Sequence, residues 1–224
     1  MISTVSLSRG GAVTMSVDSP DDAEPGRTPV LVLAHGAGND FRSPFLEFFS
    51  TALTARGVVV VRFNFPYKER PGTRPPDRMD VLADCFHDVL LAQARRTGSP
   101  PGPLFVGGKS MGGRVAAALV AKGRVKPTGL VFLGFPLHKA GDPEHLRTDD
   151  LPHVKQPMLF VQGSRDALCD LDLLRRVRRE MKLPGALHVV EGGDHSFQLP
   201  ASQRARQRAA MDAAADFVAK FTRR

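Results

Sequence analysis

Short apolar runs alternate with longer stretches of helical periodicity along most of the chain. The segment Pro29-Val30-Leu31-Val32-Leu33-Ala34 is apolar without interruption, which predicts a strand buried on both faces. Val58 to Phe65 and Pro103 to Gly108 read the same way, and further strands are expected at 128–134, 157–162 and 186–191. Between them, helical patterns cover 43–56, about 80–96, 112–122 and 202–222, and Asp170 or Asp172 is placed to cap one more helix. Strand and helix in alternation predict an α/β fold, a mostly parallel, doubly wound sheet with helices on both faces. The opening stretch from Val5 to Val17, broken by Gly10-Gly11, suits an antiparallel edge hairpin. Residues 18–28 and the Pro- and Arg-rich stretch 66–78 read as loops.

With 224 residues, 42% of them hydrophobic, the chain holds enough apolar material for one filled core, and a single domain over residues 1–224 is expected. No stretch approaches the roughly 20 apolar residues of a membrane span. The first residues, Met1 to Arg9, lack a basic leader followed by an apolar run, so a cytoplasmic location is expected. The two cysteines, Cys85 and Cys169, have neither a CxxC spacing nor a histidine at metal-ligand spacing. They read as buried free thiols, and no metal site is expected. The net charge of +8 raises the question of nucleic acid. Its arginines are dispersed, however, in clusters such as Arg175-Arg176 and Arg204 to Arg208 on solvated helix faces, and no specific nucleic-acid partner is expected.

The sharpest local signal is Gly108-Lys109-Ser110-Met111-Gly112, a G-x-S-x-G set between a buried strand and a helix. That context is what a nucleophile elbow requires. The serine occupies a tight turn that lifts its hydroxyl above the carboxyl edge of the sheet, and the flanking glycines remove Cβ atoms where strand and helix approach. The N–H of Met111, at the helix start, is then free to meet a developing oxyanion. Gly108-Lys109-Ser110 also resembles the end of a phosphate-binding loop. There the first glycine would fall at Pro103, and Leu104-Phe105-Val106 is a strand rather than a loop, so that reading fails.

A serine hydroxyl needs a base, and the base needs a carboxylate to fix its tautomer. In this fold the chain order is serine, acid, histidine. Asp166 follows the strand Met158 to Gln162, and His195 follows the strand Leu187 to Val190, so both are expected at the same sheet edge as Ser110. Asp194 is read as a turn former and His188 as a packed strand histidine. His138, His145 and His153 are read as surface residues, while His87 lies in a helix without a partner. In His35-Gly36-Ala37-Gly38, after a core strand, the N–H of Ala37 is the candidate second oxyanion donor. His35 reads mainly as structural and secondarily as a substrate contact.

These segments resemble the α/β-hydrolase superfamily over nearly the whole chain. The strings His35-Gly36-Ala37-Gly38, Arg62-Phe63-Asn64-Phe65-Pro66-Tyr67, Gly107 to Arg114, Gly163-Ser164-Arg165-Asp166 and Gly193 to Phe197 resemble the dienelactone-hydrolase-like group and its KANL/Tex branch, which includes a subunit of the NSL acetyltransferase complex. The resemblance implies Ser110 as nucleophile, Asp166 as acid and His195 as base. Dienelactone hydrolase itself uses a cysteine, so Ser110 departs from it and that substrate is not implied.

The expected chemistry is acyl transfer on a small-molecule ester, thioester or activated amide, with no cofactor. Arg114 is a candidate contact for a substrate carboxylate, although a helix-surface arginine is the commoner case. Lys68, Arg70, Arg74 and Arg78 in the 66–78 loop would favour anionic substrates unless they are simply solvated. About 20 residues join Phe135 to Pro157, too few for a cap domain, so the site should be open. The alternative is a non-catalytic protein-interaction module that keeps the fold.

Overall fold

The computed structural model describes residues 1–97 and 102–223. The chain opens with β1 (Ile2–Ser6) and β2 (Ala12–Asp18), an antiparallel hairpin. Gly10 and Gly11 turn it, both at positive φ (88° and 77°), a conformation that glycine adopts without steric cost. The rest follows as β3 (Val30–Ala34), α1 (Pro44–Thr54), β4 (Val59–Phe63), α2 (Pro66–Glu69), α3 (Met79–Thr97), β5 (Leu104–Lys109), α4 (Met111–Ala121), β6 (Gly129–Leu133), β7 (Met158–Gly163), α5 (Leu171–Glu180), β8 (Gly185–Val190) and α6 (Gln207–Thr222).

The strands form one eight-stranded sheet in the order β1-β2-β4-β3-β5-β6-β7-β8. From β4 to β8 every pairing is parallel. The unbroken apolar runs are resolved by the two-residue alternation of a strand. In β3, Leu31 and Leu33 join Phe49 of α1 and Val218 of α6 on one face, while Val30, Val32 and Ala34 join Phe86 of α3 and Val115 of α4 on the other. Burial on both faces is why β3, β5, β6 and β7 carry no polar alternation.

Two local expectations are corrected. The 66–78 stretch is not all loop, because Pro66 at the first helical position starts the single turn α2, where its missing N–H and fixed φ cost nothing. Glu69 then accepts a hydrogen bond from the Thr14 amide of β2 (2.7 Å). The expected closing helix at 202–222 begins as a 3₁₀ stretch, Ala201–Arg206, and becomes α-helical only at Gln207. There the Gln207 side chain accepts from the Leu199 amide and donates to the Phe197 carbonyl, anchoring the helix start to the loop that carries His195.

The strand order places the site. From β3 the chain moves outward to β4, then returns to lay β5 on the other side of β3. The connections after β3 and β5 therefore diverge and leave a crevice at their carboxyl ends, the place where open α/β sheets bind ligands. The residues after β3 are His35 to Gly38, and the residue after β5 is Ser110. The connection between β6 and β7 contains only a bridge between Lys139 and Asp142 and the 3₁₀ turn Leu151–His153. No separate cap domain covers the crevice.

Candidate active site

Ser110 stands between β5 and α4 with φ 52° and ψ −115°, a left-handed backbone that non-glycine residues adopt only under constraint. The constraint is the packing of α4 onto β3. A Cβ at Gly108 would lie 2.4 Å from the Ala34 carbonyl oxygen, and one at Gly112 would lie 2.4 Å from the same atom. The carbonyl that ends β3 is thus received between the two glycines of the motif. Gly112→Ala should overpack this contact against rigid backbone and destabilise the protein by roughly 3 kcal/mol or more, measured as a drop in the urea midpoint.

His195 and Asp166 arrive from the ends of β8 and β7. The two loops are laced together: Arg165 N–H donates to the Gly193 carbonyl (2.8 Å), Ser164 N–H to Val190 (3.1 Å), and Gly192 N–H to Ser164 Oγ (2.8 Å). Asp194 does shape the turn, since its Oδ1 accepts the amides of Ser196 (2.7 Å) and Gln198 (2.9 Å). His195 Nδ1 lies 2.7 Å from Asp166 Oδ2, and Nε2 lies 2.9 Å from Ser110 Oγ. A carboxylate only accepts, so Nδ1 carries the proton and donates to Asp166, leaving Nε2 as the acceptor for the serine O–H. The Asp166 side chain is fully buried, while that of His195 is 26% exposed.

Asp166 is held from the inside by a residue the sequence reading missed. Gln162, in β7 and fully buried, donates Nε2–H to Asp166 Oδ2 and accepts the Phe135 amide at Oε1 (2.9 Å). The Leu168 amide donates to the other carboxylate oxygen (2.8 Å). A glutamine in the otherwise apolar run Met158-Leu159-Phe160-Val161-Gln162 was the available signal. Gln162→Leu should orphan the Phe135 N–H and free the carboxylate to rotate. A loss of about 1–3 kcal/mol in unfolding free energy is expected, together with a fall in kcat larger than any change in KM.

The amides of Ala37 and Met111 have no hydrogen-bond acceptor among the described residues. Met111 is the first residue of α4, so its N–H belongs to the free positive end of the helix. His35 is corrected as a substrate contact. It is fully buried, its Nε2 accepts the Phe65 amide (3.1 Å), and its Nδ1 lies 2.8 Å from the Gly36 carbonyl. It ties the end of β3 to the end of β4, and burial pushes its pKa down to about 4. The unfolded chain binds this proton below about pH 6.5 and the folded one does not, so unfolding free energy should fall towards acid. Between pH 7 and 4.5 the fall should be about 2–3 kcal/mol by urea unfolding, and His35→Gln should flatten it.

Arg114 lies near the start of α4. It is half-buried, and its charged neighbours are Arg147, Asp149 and Asp150 of the β6–β7 connection. His138 is not a surface residue: it is 5% exposed and its Nε2 accepts the Asp170 amide (2.9 Å), while Asp170 caps α5 through the Leu173 amide. His188 is half-buried on the edge strand, stacked on Phe217 (4.8 Å between centroids). His145 and His153 are exposed, and His145 meets Asp142. In the 66–78 stretch, Arg70 pairs with Asp77, Arg78 with Asp80, and Arg74 donates to the Pro71 carbonyl, and all three arginines are exposed. Cys85 and Cys169 are free and buried, and burial raises both thiols above their ordinary range.

The family model described as alpha/beta hydrolase domain matches residues 27–223. The chain belongs to the α/β-hydrolase family. Among solved structures, this hydrolase resembles dienelactone hydrolase from Anabaena variabilis at a TM-score of 0.74 and 20% identity, over 98% of this chain and 94% of that one. It is similar to a serine hydrolase without lid from Xanthomonas campestris (TM-score 0.68, 21% identity, 95% and 94% covered). It is also similar to the Est1E protein of Butyrivibrio proteoclasticus bound to ferulic acid (0.73, 14%, 97% and 98%). At these identities the likeness is one of fold. The β1–β2 hairpin lies ahead of the family match and completes the sheet edge.

Proposed function

We propose that this hydrolase cleaves carboxylic esters, thioesters or similar acyl bonds of small molecules through an acyl-enzyme on Ser110. The observation that carries the reading is the continuous chain Asp166–His195–Ser110, with contacts of 2.7 and 2.9 Å, ending at a strained elbow on the carboxyl edge. His195 Nε2 takes the proton as Ser110 Oγ attacks the carbonyl carbon, and Asp166 stabilises the imidazolium. The Ala37 and Met111 amides receive the oxyanion, with each such donor contributing about 10²–10³ in turnover. The tetrahedral species expels the alcohol or thiol, which leaves with the proton from His195. Water activated by the same histidine then attacks the acyl carbon, and Ser110 recovers its proton as the acid departs.

Two features bear on the substrate. The absence of a cap leaves the crevice open, as in the lidless Xanthomonas structure. A cavity of about 410 Å³ lies beside the His195 loop, between Phe45 and Phe48 of α1, Ser196 and Gln198, and Arg204, Arg208 and Met211. Its size and mixed apolar and basic lining suit a short aliphatic or single-ring substituent. Names among the structural neighbours, a dienelactone hydrolase and a ferulic-acid complex, fit ring-bearing substrates of that size. A larger cavity of about 910 Å³ lies beside the β1–β2 hairpin and Asp18, away from Ser110.

The test is hydrolysis of p-nitrophenyl acetate, butyrate and benzoate and of an acetyl thioester. The expected result is a burst of one product per enzyme followed by slower turnover. No turnover above that of Ser110→Ala by a folded protein would instead favour a non-catalytic interaction module.

A further inference from the structure

We infer that Phe197 is a positioning residue for His195: its strained backbone, held by the burial of its ring, closes the turn that aims the imidazole at Ser110. The inference rests on the proposed roles of Ser110 and His195. Phe197 has φ 62°, in the left-handed region where an aromatic residue is strained. Among the described residues other than glycine, only Ser110, Lys182 and Phe197 have a positive φ. Ser110 is the proposed nucleophile, and Phe197 belongs to the turn that carries His195. The angle closes that turn. Phe197 N–H donates to the Asp194 carbonyl (3.0 Å) and Asp194 N–H to the Gln198 carbonyl (3.1 Å), so the chain folds back on itself across His195. Gly193 lets it come so close, since a Cβ there would stand 3.2 Å from Phe197 Cα. From this turn the imidazole reaches Ser110 Oγ at 2.9 Å and Asp166 Oδ2 at 2.7 Å.

The strain is held from two sides. The Phe197 ring is fully buried and packs against Phe45 (5.3 Å between centroids) and Phe49 (6.2 Å) of α1. Burying a phenyl ring outweighs the cost of one left-handed residue. From α6, Gln207 Nε2–H donates to the Phe197 carbonyl (3.0 Å), while its Oε1 accepts the Leu199 amide (2.7 Å). The peptide beyond the strained residue is thus fixed as well. The bonds that lace this loop to the one after β7 come from Val190, Gly192 and Gly193. Among the described residues the backbone of 194–198 takes no part in them, so the direction of His195 is left to the turn. Without the ring, a residue with a Cβ at 197 relaxes towards negative φ and the turn opens. A displacement of about 1 Å at a reacting group can cost on the order of 10²-fold in rate.

The test compares Phe197→Ala with Phe197→Gly on p-nitrophenyl acetate, at a temperature where thermal melting shows each to be folded. Both variants lack the ring, but glycine adopts φ 62° without strain. Phe197→Ala should lose about 10²-fold in kcat with KM unchanged, and Phe197→Gly should keep roughly tenfold more kcat than alanine. Crystal structures should show the turn, and the 2.9 Å contact of His195 Nε2 with Ser110 Oγ, kept with glycine and lost with alanine. Equal kcat in the two variants, or a lower one with glycine, would overturn the inference, because a ring kept only for packing is missed in both alike. Should neither variant fold, Gln207→Glu decides. It keeps an acceptor for the Leu199 amide but sets an oxygen against the Phe197 carbonyl. Its kcat should fall about tenfold, and an unchanged kcat would overturn the inference. A wild type that neither turns over nor labels with a fluorophosphonate refutes the reading of Ser110 instead, and the turn seen in the two Phe197 variants then decides the inference alone.

Discussion

Ser110→Ala should lower ester turnover by about 10⁶-fold while leaving the fold intact, since loss of the nucleophile in a serine triad costs on that order. The backbone at this position is already strained at φ 52°, and alanine carries the same Cβ as serine, so the strain is unchanged. The hydroxyl's partner is His195 Nε2, whose ring is partly exposed and can bond to water instead. What remains should be the catalysis due to binding and to the Ala37 and Met111 amides, roughly 10³–10⁴ over water. The measurement is kcat/KM on the best p-nitrophenyl ester, with near-ultraviolet circular dichroism to check packing. A variant that retained most of its activity would place the reaction elsewhere in the crevice.

Asp166→Asn should cost about 10⁴-fold in kcat, for a reason readable in its hydrogen bonds. The carboxylate accepts from three donors: His195 Nδ1–H, Gln162 Nε2–H and Leu168 N–H. An asparagine offers one oxygen and one NH₂. With the oxygen towards Leu168, the NH₂ faces both Gln162 and His195, and His195 must present a lone pair at Nδ1. The ring then carries its proton on Nε2 and cannot accept one from Ser110. With the oxygen towards His195, the NH₂ opposes the Leu168 amide. Either way a buried donor is orphaned, so a stability loss of about 1–3 kcal/mol should accompany the kinetic loss. Stopped-flow measurement of the acylation burst, paired with urea unfolding, reads both. A kinetic loss below tenfold would mean that Asp166 does not set the tautomer.

Part of the fold and of the site was legible in the sequence. The core strands were, because burial on both faces suppresses polar residues and leaves runs such as Val30 to Ala34 that little else produces. The elbow was legible because the Ala34 carbonyl admits no Cβ at either Gly108 or Gly112, so close packing is written directly into the glycine spacing. The positions of Asp166 and His195 followed from strand ends facing one edge. The failures have a different origin. His138 is buried where a surface residue is expected, because its partner, the Asp170 amide, is set by how remote loops pack together. The role of Gln162 is not readable because a polar residue within an apolar strand declares itself only when the space beside it is known. The single turn α2 and the 3₁₀ start before α6 fell below the length at which periodicity can be read.

Activation of Ser110 by His195 is read out by reaction with a fluorophosphonate probe, which needs an activated serine but no knowledge of the substrate. Wild-type protein should label at one site, mapped by mass spectrometry to the peptide carrying Ser110. Labelling should vanish in Ser110→Ala and fall to background in His195→Ala. A folded wild-type protein that does not label, or one that labels equally in His195→Ala, would show that His195 does not activate Ser110.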